Sequence, residues 1–468
     1  MIPLTLEEVA AIVGGSVVDA AAGLEVTGPA FLDSRNPEPG GLFVAFEGER
    51  VDGHDYAAGA VAGGAAAVLG RRATGVPSVL VEDTQAALQE LARVFLERRR
   101  ALPAPLTVVA VTGSQGKTTT KDMLARVLAD GAPTVATAGS FNNELGLPLT
   151  VLRATAATRY LVLEMGARGV GHLAELCAIA PPDVSLVLNV GKAHIGEFGS
   201  QAAIAQAKGE LVEALSPEGY AVLNRDDDLV AAMAGRTSGH VRTFGRSQDV
   251  DVHLGDLRLD DFGRPAFDLV HDGRTEHVAL RLLGEHQAMN AAAVTATALT
   301  AGRPFDEIAT SLRSIEHLSR WRMQLLERPD GLVVVNDAYN ANPDSMRAAL
   351  ETLASLGSGR RTVAVLGQMR ELGADSEEEH RQVGRHAERL GIDVVLVVGE
   401  GADGIYDALV EARGEGEETR RVDTTARAGE WLRENVAGPD VVLIKASRGE
   451  RLERVADMLI EAGEEPAS

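Results

Sequence analysis

The sequence predicts an α/β protein of three domains, and three observations support that prediction. The chain has 468 residues, which corresponds to roughly three domains at about 150 residues each. From residue 106 onward, short apolar runs alternate with helical segments, a pattern typical of parallel sheets with helical crossovers. One apolar run leads into a glycine-rich turn of the kind that binds nucleotide phosphates, VVAVTGSQGKTTTK at residues 108–121.

The composition argues against some classes of partner and location. The formal net charge is −23, whereas nucleic acids and anionic membranes require a basic surface. We therefore expect no nucleic-acid partner and no membrane partner. The single cysteine, Cys177, allows no internal disulfide and is expected to pack in an apolar helix. No apolar run approaches the length of a membrane span. These features predict a cytoplasmic protein, which we expect to be a monomer.

The first domain is predicted to be a smaller α/β unit over residues 1–102. The segment Thr5–Glu8 has the pattern of a capping box and predicts a helix that ends near Gly14. Short strands separated by turns follow. The charged, proline-containing segment 96–105 predicts a linker, and its run of three arginines indicates a solvated helix end.

The central domain is predicted to be a P-loop ATPase with a parallel sheet over residues 103–314. Its strands are expected in the apolar runs TVVAVTG, RYLVLEMG, VSLVLNV and YAVLN. Ligands of such sheets bind beyond the carboxyl ends of the strands. Candidate chemical residues in this part of the chain should therefore meet at one edge of the sheet.

The glycine-rich turn is the strongest functional signal. Lys117 would reach the β- and γ-phosphates, and Thr118 would offer its hydroxyl to Mg²⁺. Backbone N–H groups and the N-terminus of the next helix favour bound phosphate. The general P-loop has a further glycine where this chain has Val111. The residues predicted to bind the phosphates are Gly113, Ser114, Gln115, Gly116, Lys117, Thr118 and Thr119.

Polar residues follow the other predicted strands of this domain. Glu164 ends one strand, where a carboxylate suits Mg²⁺. Asn142 and Asn143 lie in a loop that either donates to phosphate or acyl oxygens or forms a simple turn. His194 lies on a loop at the same edge, where a metal or carboxylate role is plausible. Lys208, judged from its helical segment alone, is an exposed helix lysine. We find no Ser-His-Asp or Cys-His arrangement, which favours phosphoryl transfer by positioning and metals.

The last domain is predicted to be a Rossmann-like α/β unit over residues 315–468. The segment GEGADG at 399–404, with Asp423 further on, matches a dinucleotide fingerprint. A lone match is weak, but it keeps a nicotinamide dehydrogenase as an alternative. The polar cluster at 336–345 follows the first strand and would form a nucleotide or substrate rim. An Asn-Pro turn would explain only its second half.

These motifs together resemble the Mur ligase family, whose members use ATP to form amide bonds in peptidoglycan precursors. The segment TGSQGKTTTK is similar to the short P-loop of that family. Glu164, the segments NVGKAHIGEFGS and GEHQAMN, and the late Arg–Asp cluster follow in the family's order. The segments DSRNPEPGGLFVAFEGERVDGHDY, FNNELGLPLT and NDAYNANPDSM most resemble members that act on a UDP-N-acetylmuramoyl-tripeptide.

The resemblance implies a reaction and its cofactors. A ligase of this kind would join D-Ala-D-Ala to UDP-N-acetylmuramoyl-tripeptide through an acyl phosphate and release ADP and phosphate. It would use ATP and two Mg²⁺ ions, held by Thr118, Glu164, His194 and Lys208. Lys208 aligns with a lysine that family members carry as a carbamate, which changes its interpretation from a surface residue to a metal ligand. Lys117, Glu164, His194 and Lys208 would form the catalytic set.

The resemblance also implies a binding role for residues of all three domains. The first domain would bind the UDP part, and the last would bind the incoming dipeptide. Asn290, Arg322 and Asp337 would surround the adenine and ribose. The residues expected to contact the substrates are Ser34, Arg35, Asn142, Asn143, Tyr339, Asn340, Asn342, Lys445 and Arg448. The chain departs from the family at Gln287, often asparagine, and at Trp321, often glycine. Arg320 competes with Arg322 for the same role.

Three alternatives remain at this stage. The same fold could act on another substrate, as in the ligase that adds the third peptide residue or a folylpolyglutamate-type ligase. The chain could also be a nucleotide-dependent switch, although a switch requires no second metal or acyl site. The third is the nicotinamide enzyme. The sequence does not distinguish diaminopimelate from lysine as the third residue of the tripeptide.

Overall fold

Three larger sheets follow one another along the chain, one in each predicted domain. They are seen in a computed structural model that describes residues 1–48, 51–191, 198–260, 263–316, 318, 321–370, 372–414, 416 and 418–461. The prediction of an α/β protein with three domains is confirmed. The boundaries after residues 102 and 314 stay predictions.

The N-terminal domain contains a small mixed sheet with the strand order β2-β7-β6-β5-β4. The predicted capping box is present: Thr5 Oγ1 accepts from the N–H of Glu8, and the Glu8 carboxylate accepts from the N–H of Thr5. The strands are β1 Leu4–Thr5, β2 Ser16–Val18, β3 Glu25–Val26, β4 Ala30–Phe31, β5 Leu42–Val44, β6 Ala67–Gly70 and β7 Ser78–Leu80, and the helices are α1 Leu6–Val13, α2 Ala57–Ala62 and α3 Thr84–Arg100.

The predicted linker is wrong over its first half. Helix α3 continues through Arg100, and Arg99 is fully buried although a solvated helix end was expected for all three arginines. A guanidinium group can be buried when carbonyl oxygens accept hydrogen bonds from its N–H groups. The guanidinium of Arg99 donates to the carbonyl oxygens of Thr155, Ala104 and Thr158. It therefore ties the first domain to the central one.

Replacing Arg99 with alanine is expected to lower the free energy of unfolding by about 2–4 kcal/mol, because buried carbonyl oxygens lose a charged donor. Its neighbour Arg98 is exposed and pairs with Glu8 on the surface. Arg98→Ala is the matched control and should cost about 1 kcal/mol or less. Urea unfolding of both variants measures the difference, and equal losses would contradict the buried role of Arg99.

The central domain is built on a nine-stranded sheet with the order β16-β15-β14-β13-β12-β11-β8-β10-β9. All pairs among the strands β8 to β14 are parallel, which confirms the predicted parallel sheet. Beyond β14, the strands β15 and β16 extend the sheet with antiparallel pairing. The strands are β8 Thr107–Thr112, β9 Thr134–Ala136, β10 Tyr160–Glu164, β11 Val184–Val187, β12 Tyr220–Asn224, β13 His240–Gly245, β14 Val252–Leu259, β15 Pro265–His271 and β16 Arg274–Ala279.

Helices cover both faces of this sheet. They are α4 Lys117–Ala129, α5 Gly146–Val151, α6 His172–Ile179, α7 Gln201–Glu213, α8 Asp228–Ala231, α9 His286–Thr300 and α10 Phe305–Arg313. Cys177 is buried on α6, and burial raises the pKa of its thiol to about 12. A thiol with so high a pKa is a packing residue, as expected.

The first two domains share one apolar core. Leu91 and Phe95 of α3 belong to the same buried cluster as Leu147 and Val151 of α5. The N-terminal domain is thus packed on the central domain through side chains as well as through Arg99.

The C-terminal domain has a six-stranded sheet with the order β17-β18-β22-β19-β20-β21, parallel except for β17. Buried clusters lie on both faces, as expected for a Rossmann-like unit. The strands are β17 Gln324–Glu327, β18 Val333–Asp337, β19 Thr362–Leu366, β20 Val394–Val398, β21 Thr419–Val422 and β22 Val441–Lys445, and the helices are α11 Pro343–Leu356, α12 Ser376–Arg389, α13 Asp403–Arg413, α14 Thr425–Asn435 and α15 Glu453–Glu461.

The glycines of the GEGADG segment have a packing role. A Cβ at Gly401 would lie 2.4 Å from the side chain of Gln368, and one at Gly404 would lie 2.8 Å from the carbonyl oxygen of Glu377. Close approach of α12 to α13 therefore requires glycine at position 404, whether or not a dinucleotide binds. Within the described part of the chain, none of the helices has the length and apolar character of a membrane span.

Candidate active site

Most of the predicted site residues line one cavity between the central and C-terminal domains. Its volume is about 510 Å³. The carboxyl ends of β8, β10, β18 and β22 face it, as expected for parallel sheets. The predicted residues that line it are Ser114, Gln115, Gly116, Lys117, Thr118, Thr119, Asn142, Asn143, Glu164, Lys208, Asn290, Arg322, Asp337, Tyr339, Asn340, Asn342 and Lys445.

The P-loop has the predicted strand–turn–helix geometry. Helix α4 begins at Lys117, and Gly116 before it has a φ of 76°, a left-handed conformation that favours glycine. A Cβ at Gly116 would also lie 3.0 Å from Oδ1 of Asn290. The Lys117 ammonium donates to the carbonyl oxygen of Gly113 at 2.7 Å, within its own loop. The lysine is thus held over the turn, beside the N–H groups that a helix leaves without an internal partner.

Asn189 organises the start of the loop, a role that the sequence did not reveal. Its Oδ1 accepts from the N–H groups of Ser114 and Gln115 at 3.0 and 2.9 Å. The predicted contact of Ser114 and Gln115 with phosphate stays a prediction. The available signal for Asn189 was a polar residue two positions after the end of β11. Gly113 does not line the cavity, and a Cβ there would lie 2.9 Å from Leu188.

Glu164 ends β10 and is almost fully buried. Its Oε1 accepts from the side-chain amide of Asn142 at 2.7 Å, whereas its Oε2 is buried and has no hydrogen-bond partner among the described residues. A buried carboxylate oxygen without a donor is costly unless a cation or ligand satisfies it. The donor set therefore fits a hard divalent cation near Glu164 and Thr118.

The loop of paired asparagines has two different roles. Asn142 holds Glu164, and Asn143 accepts from the N–H of Gly146 at 2.9 Å at the start of α5. The alternative of a simple turn is therefore correct for Asn143. Both side chains still line the cavity, so a contact of either with a substrate stays a prediction.

Lys208 is buried on α7, so the exposed position judged from its segment alone is wrong. The polar residues on this side of the helix predicted exposure to solvent, but in the fold the Lys208 side chain faces the P-loop across the cavity. Burial, together with repulsion from Lys117, holds the pKa of the Lys208 amine well below its usual value. Its amine forms no hydrogen bond or ion pair with the residues that the structure describes. Both causes disfavour the ammonium form of this side chain.

The nucleotide rim predicted from the resemblance is assembled from both domains. Asn290 is buried on α9 and donates to Oε1 of Gln287 at 3.0 Å. The guanidinium carbon of Arg322 lies 4.1 Å from the centre of the Tyr339 ring. Its Nε is buried and lacks a partner within the described ranges, as a donor awaiting a ligand would. The competitor Arg320 lies outside the described residues.

Asp337 and Lys445 form a buried ion pair at the carboxyl ends of β18 and β22. The Lys445 ammonium also donates to the carbonyl oxygen of Asn340 at 2.9 Å. Asp337 in addition accepts from the N–H of Met323 at 3.0 Å. Both side chains therefore brace the loop after β18, in addition to any contact with nucleotide or substrate.

The other residues of that loop divide between the cavity and the fold. Tyr339 is hydrogen-bonded through its hydroxyl to Ser140 of the central domain. Asn342 caps α11, with its Oδ1 accepting from the N–H of Ser345 at 2.9 Å, so the Asn-Pro turn explains its position. Arg448 lies outside the main cavity, in a neighbouring one of about 520 Å³, where it stacks on Tyr339 and Trp321.

Besides Gly113 and Arg448, the predicted residues Ser34 and Arg35 do not line this cavity. Ser34 and Arg35 lie in the N-terminal domain. Arg35 forms a two-point ion pair with Asp33, which lowers the pKa of that carboxyl to about 2. Their predicted contact with the UDP part is untested by this geometry. His194 lies outside the described residues.

Comparison with known proteins places these features in one family. Three family models match: "Mur ligase family, catalytic domain" at residues 31–96, "Mur ligase middle domain" at 111–298, and "Mur ligase, glutamate ligase domain" at 321–448. The UDP-N-acetylmuramoyl-tripeptide–D-alanyl-D-alanine ligase of Mycobacterium tuberculosis is 46% identical, over 98% of each chain.

Two solved structures are similar over nearly their whole length. The UDP-N-acetylmuramoylalanyl-D-glutamyl-2,6-diaminopimelate–D-alanyl-D-alanyl ligase of Acinetobacter baumannii has a TM-score of 0.83 and 31% identity, over 98% of each chain. The MurF ligase of Thermotoga maritima, solved in complex with ADP, has a TM-score of 0.78 and 32% identity, over 94% of this chain and 98% of that one. With such similarity along both chains, this protein belongs to the Mur ligase family.

Proposed function

We propose that this protein is an ATP-dependent ligase that joins D-Ala-D-Ala to UDP-N-acetylmuramoyl-tripeptide. The product is the UDP-N-acetylmuramoyl-pentapeptide of peptidoglycan synthesis, with ADP and phosphate released. The observation that carries the proposal is the cavity in which three groups meet: the P-loop lysine, a buried carboxylate oxygen with no donor among the described residues, and the buried lysine Lys208. Relatives at up to 46% identity bear the name of this activity.

The residues of the cavity suit activation of a carboxylate by phosphoryl transfer. A carboxylate cannot expel oxide, whereas an acyl phosphate can expel phosphate. Lys117 lies at the turn where the γ-phosphoryl group of ATP would bind, and its charge offsets the negative charge that develops during transfer to the terminal carboxylate of the tripeptide. The amine of D-Ala-D-Ala then attacks the acyl carbon, and phosphate leaves. Closure of the two domains around this cavity would keep water from the acyl phosphate.

Mg²⁺ would be held by Glu164 and Thr118, and a second ion by Lys208 as its carbamate with His194. When bound, the ions would neutralise phosphate charge. The free Oε2 of Glu164 supports the first site. The second rests on the chemistry of Lys208: a neutral amine adds to CO₂, loses a proton and becomes a carboxylate, which an ammonium cannot do.

Replacing Lys208 with methionine is expected to reduce turnover by about 100-fold or more, because the carboxylate of the carbamate is lost. Stability at pH 7 should not fall. In the unfolded chain the Lys208 amine has its ordinary pKa of 10.5, and folding lowers that pKa. Below pH 10.5 the unfolded state therefore binds the proton more readily than the folded state, so Lys208 lowers the free energy of unfolding there. Methionine has no such proton and carries no such cost.

Two measurements test this assignment. Wild-type protein in ¹³C-bicarbonate should show a carbamate resonance that the Lys208→Met variant lacks, and thermal unfolding should show the variant to be as stable as the wild type. A carbamate signal of equal intensity in both proteins, or full activity of the variant, would contradict the role of Lys208.

The remaining assignments are part of the same proposal. Residues 1–102 would bind the UDP part through Ser34 and Arg35, residues 103–314 would bind ATP, and residues 315–468 would bind the dipeptide. Asn142, Asn143 and the loop that carries Tyr339, Asn340 and Asn342 would line the path of the peptide. The protein would act in the cytoplasm as a monomer, where UDP-linked precursors and ATP meet.

An omission experiment tests the proposed function. Phosphate release is measured with Mg-ATP, UDP-N-acetylmuramoyl-tripeptide and D-Ala-D-Ala, leaving out one component at a time, and the product mass is determined. We expect release only with all three and a UDP-pentapeptide product. Release without D-Ala-D-Ala would point to another amine, and no release would refute a ligase. Tripeptides ending in diaminopimelate or lysine show which third residue is used.

A further inference from the structure

One end of the cavity is formed by the loop 166–171 and the first residue of α6. Arg168 and His172 line it. The imidazole Nε2 of His172 lies 3.2 Å from the carboxylate of Glu144, whose backbone oxygen accepts from the side chain of Gln89 at 3.1 Å. Gln89 is on α3 of the N-terminal domain. Through Glu144, this part of the cavity wall is therefore linked to the proposed UDP-binding domain.

The loop that carries Arg168 is held at both ends. At its start, the N–H of Gly166 donates to the carbonyl oxygen of Asn142 at 2.9 Å. At its end, the carboxylate of Glu210, itself buried, accepts from the N–H groups of Gly171 and Ala174 at 2.6 and 3.1 Å. The backbone beneath Arg168 is thus fixed before any ligand binds, which lowers the cost of ordering its side chain.

The guanidinium of Arg168 has no ion-pair or hydrogen-bond partner among the residues that the structure describes. Two other cations of the cavity have partners: Lys445 is paired with Asp337, and the guanidinium of Arg322 lies over a tyrosine ring. Arg168 is exposed, so its guanidinium is accessible to a ligand in the cavity of a protein whose formal net charge is −23. Two large apolar side chains are exposed in this region: Phe141, which also lines the cavity, and Val170, two residues after Arg168, which are 60% and 61% exposed.

We propose that Arg168 binds a carboxylate of the tripeptide other than the one that is activated, and so determines which peptides are accepted. This inference rests on the proposed function. The related enzyme of Acinetobacter baumannii is named for a D-glutamyl-diaminopimelate substrate, and a glutamyl residue within a chain keeps one carboxylate free. A guanidinium binds a carboxylate with two parallel hydrogen bonds.

The position of Arg168 agrees with this role. It follows Glu164 by four residues after the end of β10, and the neighbouring His172 is linked through Glu144 to Gln89 of the N-terminal domain. A peptide that links a UDP sugar on that domain to the activated carboxylate would run along this wall of the cavity. Phe141 and Val170 would contact its aliphatic parts.

The test compares two substrates in two proteins. Wild-type protein and the Arg168→Ala variant are assayed with UDP-N-acetylmuramoyl-tripeptide and with its analogue in which the free glutamyl carboxylate is an amide. The variant should raise the KM for the natural tripeptide roughly 10- to 100-fold. The KM values for ATP and D-Ala-D-Ala and kcat should stay unchanged. For the wild type, the KM for the amide analogue should exceed the KM for the natural tripeptide by a similar factor. For the variant, the two KM values should be equal.

Arg168→Lys should fall between the two proteins, because it keeps the charge and loses the fork. Arg126→Ala, an exposed arginine at the far end of α4, is the matched control and should behave as wild type. If the amide analogue raised the KM of the Arg168→Ala variant by as much as it raises that of the wild type, the two effects would be independent and the proposal would be overturned. An effect of Arg168→Ala confined to ATP would also overturn it. An inactive wild type would instead refute the ligase assignment on which the proposal rests.

Discussion

Replacing Lys117 with alanine is expected to reduce turnover by at least about 1,000-fold, the largest effect among single changes to the cavity. The ammonium is the charge nearest to the turn where the γ-phosphate would bind, and alanine leaves the developing charge uncompensated. The fold should be kept, because the described contacts of the ammonium are carbonyl oxygens of its own loop. Phosphate release and thermal unfolding of the variant measure the two effects.

A second substitution on the same helix serves as the control. Arg126 lies in the last turn of α4, is exposed and pairs with Asp130 on the surface. Arg126→Ala should retain the wild-type rate and the wild-type midpoint of unfolding, within the range of surface substitutions. Full activity of Lys117→Ala would exclude the phosphate role. Loss of activity together with loss of the folded state would show that Lys117 is needed for folding instead.

Replacing Glu164 with glutamine is expected to reduce turnover by about 100-fold or more and to raise the Mg²⁺ concentration required for half-maximal rate. The amide has the shape of the carboxylate, and its oxygen can still accept from Asn142. It lacks the negative charge that a divalent cation needs. The variant should be as stable as the wild type or more stable, because a buried charge without a full set of partners has been removed.

The contrast with Glu210 makes this result decisive. Glu210 is also a buried carboxylate, but both of its oxygens accept backbone N–H groups. Glu210→Gln replaces one acceptor by a donor and should lower the free energy of unfolding by about 1–3 kcal/mol. Rates over a Mg²⁺ titration, with urea unfolding of both variants, separate the two roles. A Glu164→Gln variant that loses stability and keeps its Mg²⁺ dependence would show a structural carboxylate.

The parts of the fold that follow local rules could be predicted. The capping box at Thr5, the turn at Gly116 and the strand that ends at Glu164 depend on residues close in sequence, and all three are present. The errors lie where distant residues meet. Arg99 appeared to be one of three solvated arginines, and only carbonyl oxygens near residue 155 explain why it is buried.

The same division applies to the cavity. The residue types of a phosphate site were visible at Lys117 and Thr118, and resemblance supplied a role for Lys208 that its own segment did not suggest. The cap formed by Asn189 and the unpaired guanidinium of Arg168 could not be seen, because each depends on what lies across the cavity.

The sequence by itself therefore determined the α/β class, the phosphate-binding turn and the family, since these are encoded in short segments and their order. The tertiary structure decided which polar side chains are satisfied. The fold bonds Asn143 and Asn342 to the backbone, pairs Lys445 with Asp337, and gives one oxygen of Glu164 no donor among the described residues. The physical reason is that the cost of burying a charge or a hydrogen-bonding group depends on partners brought together by the fold, and their spacing along the chain does not reveal them.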